Sequence, residues 1–218
     1  MAPRRSAKQR AALVAERLAL EYPQAVCELD HRNPFELLVA TILSAQTTDA
    51  RVNLVTPALF ARYPDARALA LADPGVVEEI VRSAGFYQAK TRNLIAMAQA
   101  LVERFDAQVP TALEDLVALA GVGRKTANVV RSVAFQLPGL PVDTHVGRLS
   151  RKLGLTTQED PVKVEAELGC FLPPSEWGDF SLRLILHGRR ICAAKKQLCG
   201  DCTLEDVCPS SILPRKRK

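Results

Sequence analysis

Strand signals are missing from this chain: no alternating apolar and polar run is bounded by turns, and no Asn-Gly or Asp-Gly pair joins two such runs. A sheet is therefore not expected, and the fold class reads as all-α. Aromatic residues are scarce at 5%, so stacking of successive bases along a single nucleic-acid strand is not the obvious mode of action. No apolar run approaches the roughly 18 residues of a membrane span. The N-terminal stretch MAPRRSAKQR also lacks the apolar core of a signal peptide. Those two absences point to a cytosolic protein with no membrane partner. A repeat of fixed period is wanting as well, and low complexity is confined to the basic ends, Arg4-Arg5 and Arg215 to Lys218, which read as solvated tails.

What is present is apolar material in helical register. With 218 residues and 48% apolar content the chain can bury one large core or two small ones. A net charge of +5 fits a polyanionic partner. Ser6 is placed to cap a first helix that runs to Glu21, with Pro23 ending it. Asn33-Pro34 is a cap followed by proline at the first helical position. It opens FELLVATILSA, which is interrupted at Ala45-Gln46-Thr47-Thr48 and resumes from Asp49 to Arg62, with Pro57 expected to kink or shorten it. Asp65, Asp73-Pro74 and Asp160-Pro161 mark further starts. Gly85 and Gly154 mark stops, and long periodic stretches cover Tyr87 to Phe105 and Trp177 to His187.

The chain is organised around Leu116 to Arg148, LVALAGVGRKTANVVRSVAFQLPGLPVDTHVGR. Thr111 with Glu114 has the spacing of a capping box and predicts a short helix to Leu119. Gly121-Val122-Gly123 then turns, and bare amides there would form an anion-binding nest. A second helix follows with Thr126, Val129, Val130 and Val133 on one face, which puts Lys125 in its first turn. That is an odd place for a cation, since a helix N-terminus is already positive. Each piece also has a plain reading: a generic helix connection, a lysine on a phosphate, and Asp143 as an ordinary helix cap.

Four of the six cysteines fall in one tail, Cys192, Cys199, Cys202 and Cys208, spaced C-x6-C-x2-C-x5-C. Disulfides are not expected in a cytosolic chain, so metal is the better reading. Spacing alone leaves zinc and an iron–sulfur cluster both open. Cys27 and Cys170 lie apart in apolar surroundings and read as buried thiols.

Taken together, LAGVGRKTANVV, then VDTHVGR, then LHGRRIC and its cysteine tail closely resemble the endonuclease III family. These are the helix-hairpin-helix, iron–sulfur DNA glycosylases and abasic-site lyases of base excision repair. The resemblance runs from about Arg10 to Cys208 and includes PFELLVATILSAQTTD. One departure is Ala120, where the family's hairpin has proline; the change adds a backbone amide.

The resemblance implies a six-helix domain over residues 27–137 that carries the hairpin. A second domain would join 1–26 to 138–218, closed by a [4Fe–4S] cluster on the four cysteines, with the active site in the cleft between the domains. It implies Lys125 as nucleophile, favoured as a neutral amine by burial and by the helix N-terminus. Asp143 would stabilise positive charge on the sugar and help proton transfer. Gln46 would fill the space left by a flipped nucleotide and Phe86 would wedge the opposite strand. Their plain readings are a solvent-facing amide and a core aromatic.

Gly121, Val122, Gly123 and Arg124 would meet phosphate, His145 and Arg148 the backbone near the lesion, and Lys195 and Lys196 further phosphates. The implied partner is double-stranded DNA with a damaged pyrimidine or abasic site, bound by a monomer in the bacterial cytoplasm at the nucleoid. A mismatch adenine glycosylase would lack the hairpin lysine and carry a glutamate on the helix before the glutamine turn. Lys125 is present, and that helix has no acid after Glu36. A non-catalytic DNA-binding module would need the hairpin but not Lys125 and Asp143 together.

Overall fold

A computed structural model describes residues 5–214. Arg4 and Arg215 to Lys218 lie outside the described residues. Among those described there is no strand, only an isolated bridge between Cys192 and Gln197. The helices are α1 (Ala7–Glu21), α2 (Pro34–Leu43), α3 (Asp49–Arg62), α4 (Ala66–Ala70), α5 (Pro74–Val81), α6 (Tyr87–Phe105), α7 (Leu113–Val117), α8 (Arg124–Val129), α9 (Thr144–Lys152), α10 (Pro161–Gly169) and α11 (Trp177–Arg190). No helix among them is long and apolar enough to cross a membrane. The chain divides into two compact units, Cys27–Leu137 and Met1–Val26 with Pro138–Lys218.

Local chemistry decides most helix starts. Ser6 and Gln9 close a reciprocal box on α1, and Asn33, Thr48, Asp65, Asp73, Asp143 and Asp160 each accept a first-turn amide. One expectation fails, and of another, that Pro57 would kink or shorten its helix, the shortening does not occur. The box at Thr111 does not form: α7 starts at Leu113 with Ala112 before it and no side-chain cap, and the Thr111 carbonyl accepts from Arg131. Pro57 does not end α3, which continues to Arg62. The proline lies on the exposed face, while Val52, Val55, Thr56, Leu59 and Phe60 hold the other face in the core.

The unit Cys27–Leu137 holds seven α-helices, of which α4 and α7 are short pieces of five residues each. Its centre is α2, where Leu37, Leu38, Val39, Ala40 and Leu43 are wholly buried, so the helix is apolar all round. Glu36 is buried with them. Burial alone would raise its carboxyl, but hydrogen bonds from the Arg32 side chain and backbone hold it below its ordinary range.

In the other unit, α1 presents Ala11, Val14, Ala15 and Leu18 to a core shared with Val146, Leu149, Phe180 and Leu184. Arg10 donates to the Gly154 carbonyl at 3.2 and 2.6 Å, and Arg17 pairs with Asp206. These contacts tie the first helix to segments that follow α9 and α11. Of the two outlying thiols expected to be buried, Cys27 is half-buried, with burial raising its thiol, and Cys170 is exposed.

Candidate active site and metal centre

Between α7 and α8 the chain turns at Gly121, whose φ of 75° lies in the left-handed region. A Cβ there would stand 2.9 Å from the Asn93 Cβ, so the position admits glycine on two counts. Gly123 is different: its φ is −87°, and open space surrounds its missing Cβ. Val122 corrects the expectation of a three-amide nest. Its side chain is buried, and its N–H donates to the Leu119 carbonyl at 3.1 Å. Gly123 stands at the N-cap of α8 and supplies no capping side chain. Lys125, second residue of α8, is exposed, so burial within the free protein is not what would prepare its amine. The helix then widens into a π-turn over Val130–Ala134, and a left-handed Gln136 ends it.

Gln46 and Phe86 sit on two loops of this same unit. Gln46 is exposed with φ 55°, and Phe86 is 67% exposed with φ 48°. Phe86 is therefore no core aromatic. Left-handed backbone at two non-glycine residues is strained and concentrates at functional sites. Sequence reasoning passed over Lys90, which touches both loops. Its signal was present: Lys90 lies on the apolar stripe of α6 with Leu94, Met97, Ala98 and Leu101.

Asp143 uses its two oxygens differently. Oδ1 accepts from the Val146 amide at 2.8 Å and caps α9, while Oδ2 lies 3.1 Å from His145 Nδ1. Asp143 is thus both the helix cap and a carboxylate with an oriented second oxygen. Arg148, expected to meet the DNA backbone near the lesion, is half-buried. Its guanidinium donates to the Gly188 carbonyl at 3.4 Å and reaches within 4.0 Å of the Cys192 sulfur. Gly188 makes room for this packing of α11 on α9, because a Cβ there would lie 3.0 Å from the His145 ring.

Cys192, Cys199, Cys202 and Cys208 all line one cavity, with Leu149, Leu153, Ile191 and Leu198 among its apolar walls. Among the described residues no three Cys, His, Asp or Glu side chains gather closely enough to hold a single metal ion. Burial pushes the Cys202 thiol up to about 11, with the neighbouring thiols adding to the rise, and burial raises Cys208 as well. Such thiols ionise only when a metal offsets the charge. His187 is almost wholly buried beside them, its Nε2 3.4 Å from the Cys202 sulfur and its Nδ1 3.2 Å from the Tyr22 hydroxyl. Burial lowers it to about 4, which keeps the ring neutral. A proton on Nε2 satisfies both contacts, donating to sulfur while Nδ1 accepts from the hydroxyl. Lys195 and Lys196, in the first loop of this centre, are exposed.

A family model described as HhH-GPD superfamily base excision DNA repair protein matches residues 39–174, from α2 through the hairpin and Asp143 to α10. The class so defined is a base excision DNA repair protein. Endonuclease III of Synechocystis sp. (strain ATCC 27184 / PCC 6803 / Kazusa) is 52% identical over 207 residues, 94% of each chain. Two solved structures, a non-covalent endonuclease III–DNA complex and a trapped endonuclease III–DNA covalent intermediate, share 41% identity. Each has a TM-score of 0.89 and covers 94% of this chain and 96% of its own. The chain belongs to the endonuclease III family. It is accordingly an enzyme of base excision repair, a DNA glycosylase that is also an abasic-site lyase.

Proposed function

We propose that this enzyme removes oxidised pyrimidines from duplex DNA by attack of Lys125 at the sugar C1′, then cleaves the strand by β-elimination. The observation that carries the reading is an exposed amine in the first turn of α8, directly after a hairpin whose Gly121 and Gly123 present backbone and no side chain. The relative described as a trapped covalent intermediate with DNA supports a covalent step. DNA settling over the hairpin excludes water from Lys125. The amine nitrogen bonds to C1′ as the glycosidic bond breaks, and its electron pair leaves with the base, which takes up a proton. The lysine nitrogen loses a proton and the sugar opens to a Schiff base. Loss of the C2′ proton then breaks the C3′–O bond and expels the 3′ phosphate, and water hydrolyses the imine to free Lys125.

Asp143 stabilises positive charge on the sugar with its second oxygen and helps move protons, while His145 holds that oxygen's orientation. Gln46 fills the vacated space and Phe86 wedges the opposite strand. The amides of Gly121 and Gly123, with Arg124, meet a phosphate near the lesion, and Lys195 and Lys196 meet others.

Cys192, Cys199, Cys202 and Cys208 fit a [4Fe–4S] cluster, since all four line one cavity with apolar walls and burial raises the Cys202 and Cys208 thiols. When bound, the cluster supplies four iron–thiolate bonds that close the C-terminal loop. Arg148 and His187 approach its Cys192 and Cys202 sulfurs. The enzyme acts as a monomer on double-stranded DNA in the bacterial cytoplasm, at the nucleoid. Borohydride added during turnover on a duplex with a defined oxidised pyrimidine tests the mechanism. The expected result is a protein–DNA adduct whose peptide maps to Lys125; an adduct at Lys90 or Lys152 overturns it.

A further inference from the structure

Lys90 is 5% exposed, yet it lies in the first turn of α6, where the helix's own field opposes a cation. Its side chain runs back towards the helix N-terminus, as helical side chains do. There Nζ donates to Thr47 Oγ1 at 2.8 Å and to the Ala84 carbonyl at 2.7 Å. The Thr47 hydroxyl in turn donates to the same Ala84 carbonyl, which closes a ring of three hydrogen bonds. No carboxylate among the described residues pairs with the ammonium, and burial lowers its proton affinity. A cation buried against two neutral oxygens costs free energy, so its placement calls for a return elsewhere.

The ring joins two loops that are far apart in sequence. Thr47 is the neighbour of Gln46, and Ala84 precedes Gly85 and Phe86. Gly85, with φ 68°, and Phe86, with φ 48°, turn the second loop outward, and Gln46, with φ 55°, does the same for the first. Both tips are exposed, while the atoms beneath them converge on one ammonium. Strained backbone of this kind persists only where its surroundings over-determine it.

We propose that Lys90 is a positioning residue that clamps the Gln46 and Phe86 loops together, so that both enter the duplex as one rigid device. This rests on the reading of Gln46 and Phe86 given above. Lys90 acts through Thr47 and Ala84 and does not itself reach DNA. The clamp matters when a stacked base must be exposed, and it is idle when the target is already unstacked.

Lys90→Met retains the apolar stem and removes the donors. Its single-turnover base release from a lesion duplex should fall about 10-fold or more, the scale of a displaced positioning group. Strand cleavage at an abasic site in single-stranded DNA should stay within about twofold, because it needs Lys125 but no base exposure. Thr47→Val breaks the same ring from the other side and should show the same split, including where Lys90→Met does not fold. The double variant should be no worse than the poorer single one. Equal losses on both substrates, or none on the duplex, overturn the clamp. Gln46→Ala and Phe86→Ala serve as references. If neither slows base release from the duplex, the reading of the loops fails and the clamp's purpose with it. If they slow it and Lys90→Met does not, the clamp alone fails.

Discussion

Helices α8 and α9 each begin with one of the two proposed catalytic residues, and their first turns are finished in opposite ways. At α8 the N-cap is Gly123, no side chain closes the first amides, and Lys125 stands exposed. At α9 the N-cap is Asp143, which takes the Val146 amide with one oxygen and faces His145 with the other. An end left uncapped suits an arriving anion, since bare N–H groups and the helix dipole both favour negative charge. An end closed by its own carboxylate suits a group that must be aimed before substrate arrives. On the proposed mechanism the DNA would thus prepare the nucleophile and the protein the carboxylate.

The largest expected effect falls on the open end. Lys125→Arg keeps the positive charge but offers no free amine, so base release and borohydride trapping should drop by at least about 10³-fold. Lesion-duplex affinity should hold. A phosphate-binding lysine makes the opposite forecast, with arginine restoring activity, and single-turnover kinetics separates the two.

At the closed end the effect is smaller and divides in two. Asp143→Asn keeps an oxygen to accept from Val146, so thermal stability should hold while base release slows by roughly 10²-fold. Asp143→Ala removes the cap as well and should cost about 0.5–2 kcal/mol in urea unfolding. If Asp143→Asn kept both stability and the rate of base release, Asp143 would be a cap and nothing more.

What was legible in advance follows from how local each signal is. Ser6, Asn33, Asp73 and Asp160 were readable because a cap involves residues within a few positions. Thr111 misled because its turn starts a residue later and its carbonyl is engaged by Arg131, twenty positions away in sequence. Pro57 does not shorten α3 because the cost of a lost helical hydrogen bond is offset by a buried face that sequence spacing only hints at. Lys125, Asp143 and the four thiols could be placed by motif, but not their exposure, so the expected burial of Lys125 was wrong. The contacts of Arg148 with Gly188 and Cys192 were not legible either, because which way a long side chain points depends on its tertiary neighbours.

The two hairpin glycines sharpen the account of the open end. Gly121→Ala meets the Asn93 Cβ and a left-handed backbone, and should cost about 1–3 kcal/mol in urea unfolding. Gly123→Ala has ordinary φ and open space, so about 0.5 kcal/mol is expected. Similar costs at both positions would mean that the turn does not depend on Gly121 as described.

The smallest effect distinguishes backbone from side-chain recognition of phosphate. A methyl group at Gly123 crowds the uncapped amides of α8, which carry no formal charge. Gly123→Ala should therefore weaken lesion-duplex binding without changing how the affinity depends on salt, because only charged contacts release counterions. Lys195 and Lys196 are exposed ammonium groups in the cysteine loop, and replacing both with alanine should reduce the slope of log affinity against log salt by roughly 1 to 2 units. Titrations at several salt concentrations read both variants in one experiment. An unchanged slope in the double lysine variant would place that loop away from DNA, and a slope change in Gly123→Ala would mean that the methyl group also displaces the Arg124 contact with that phosphate.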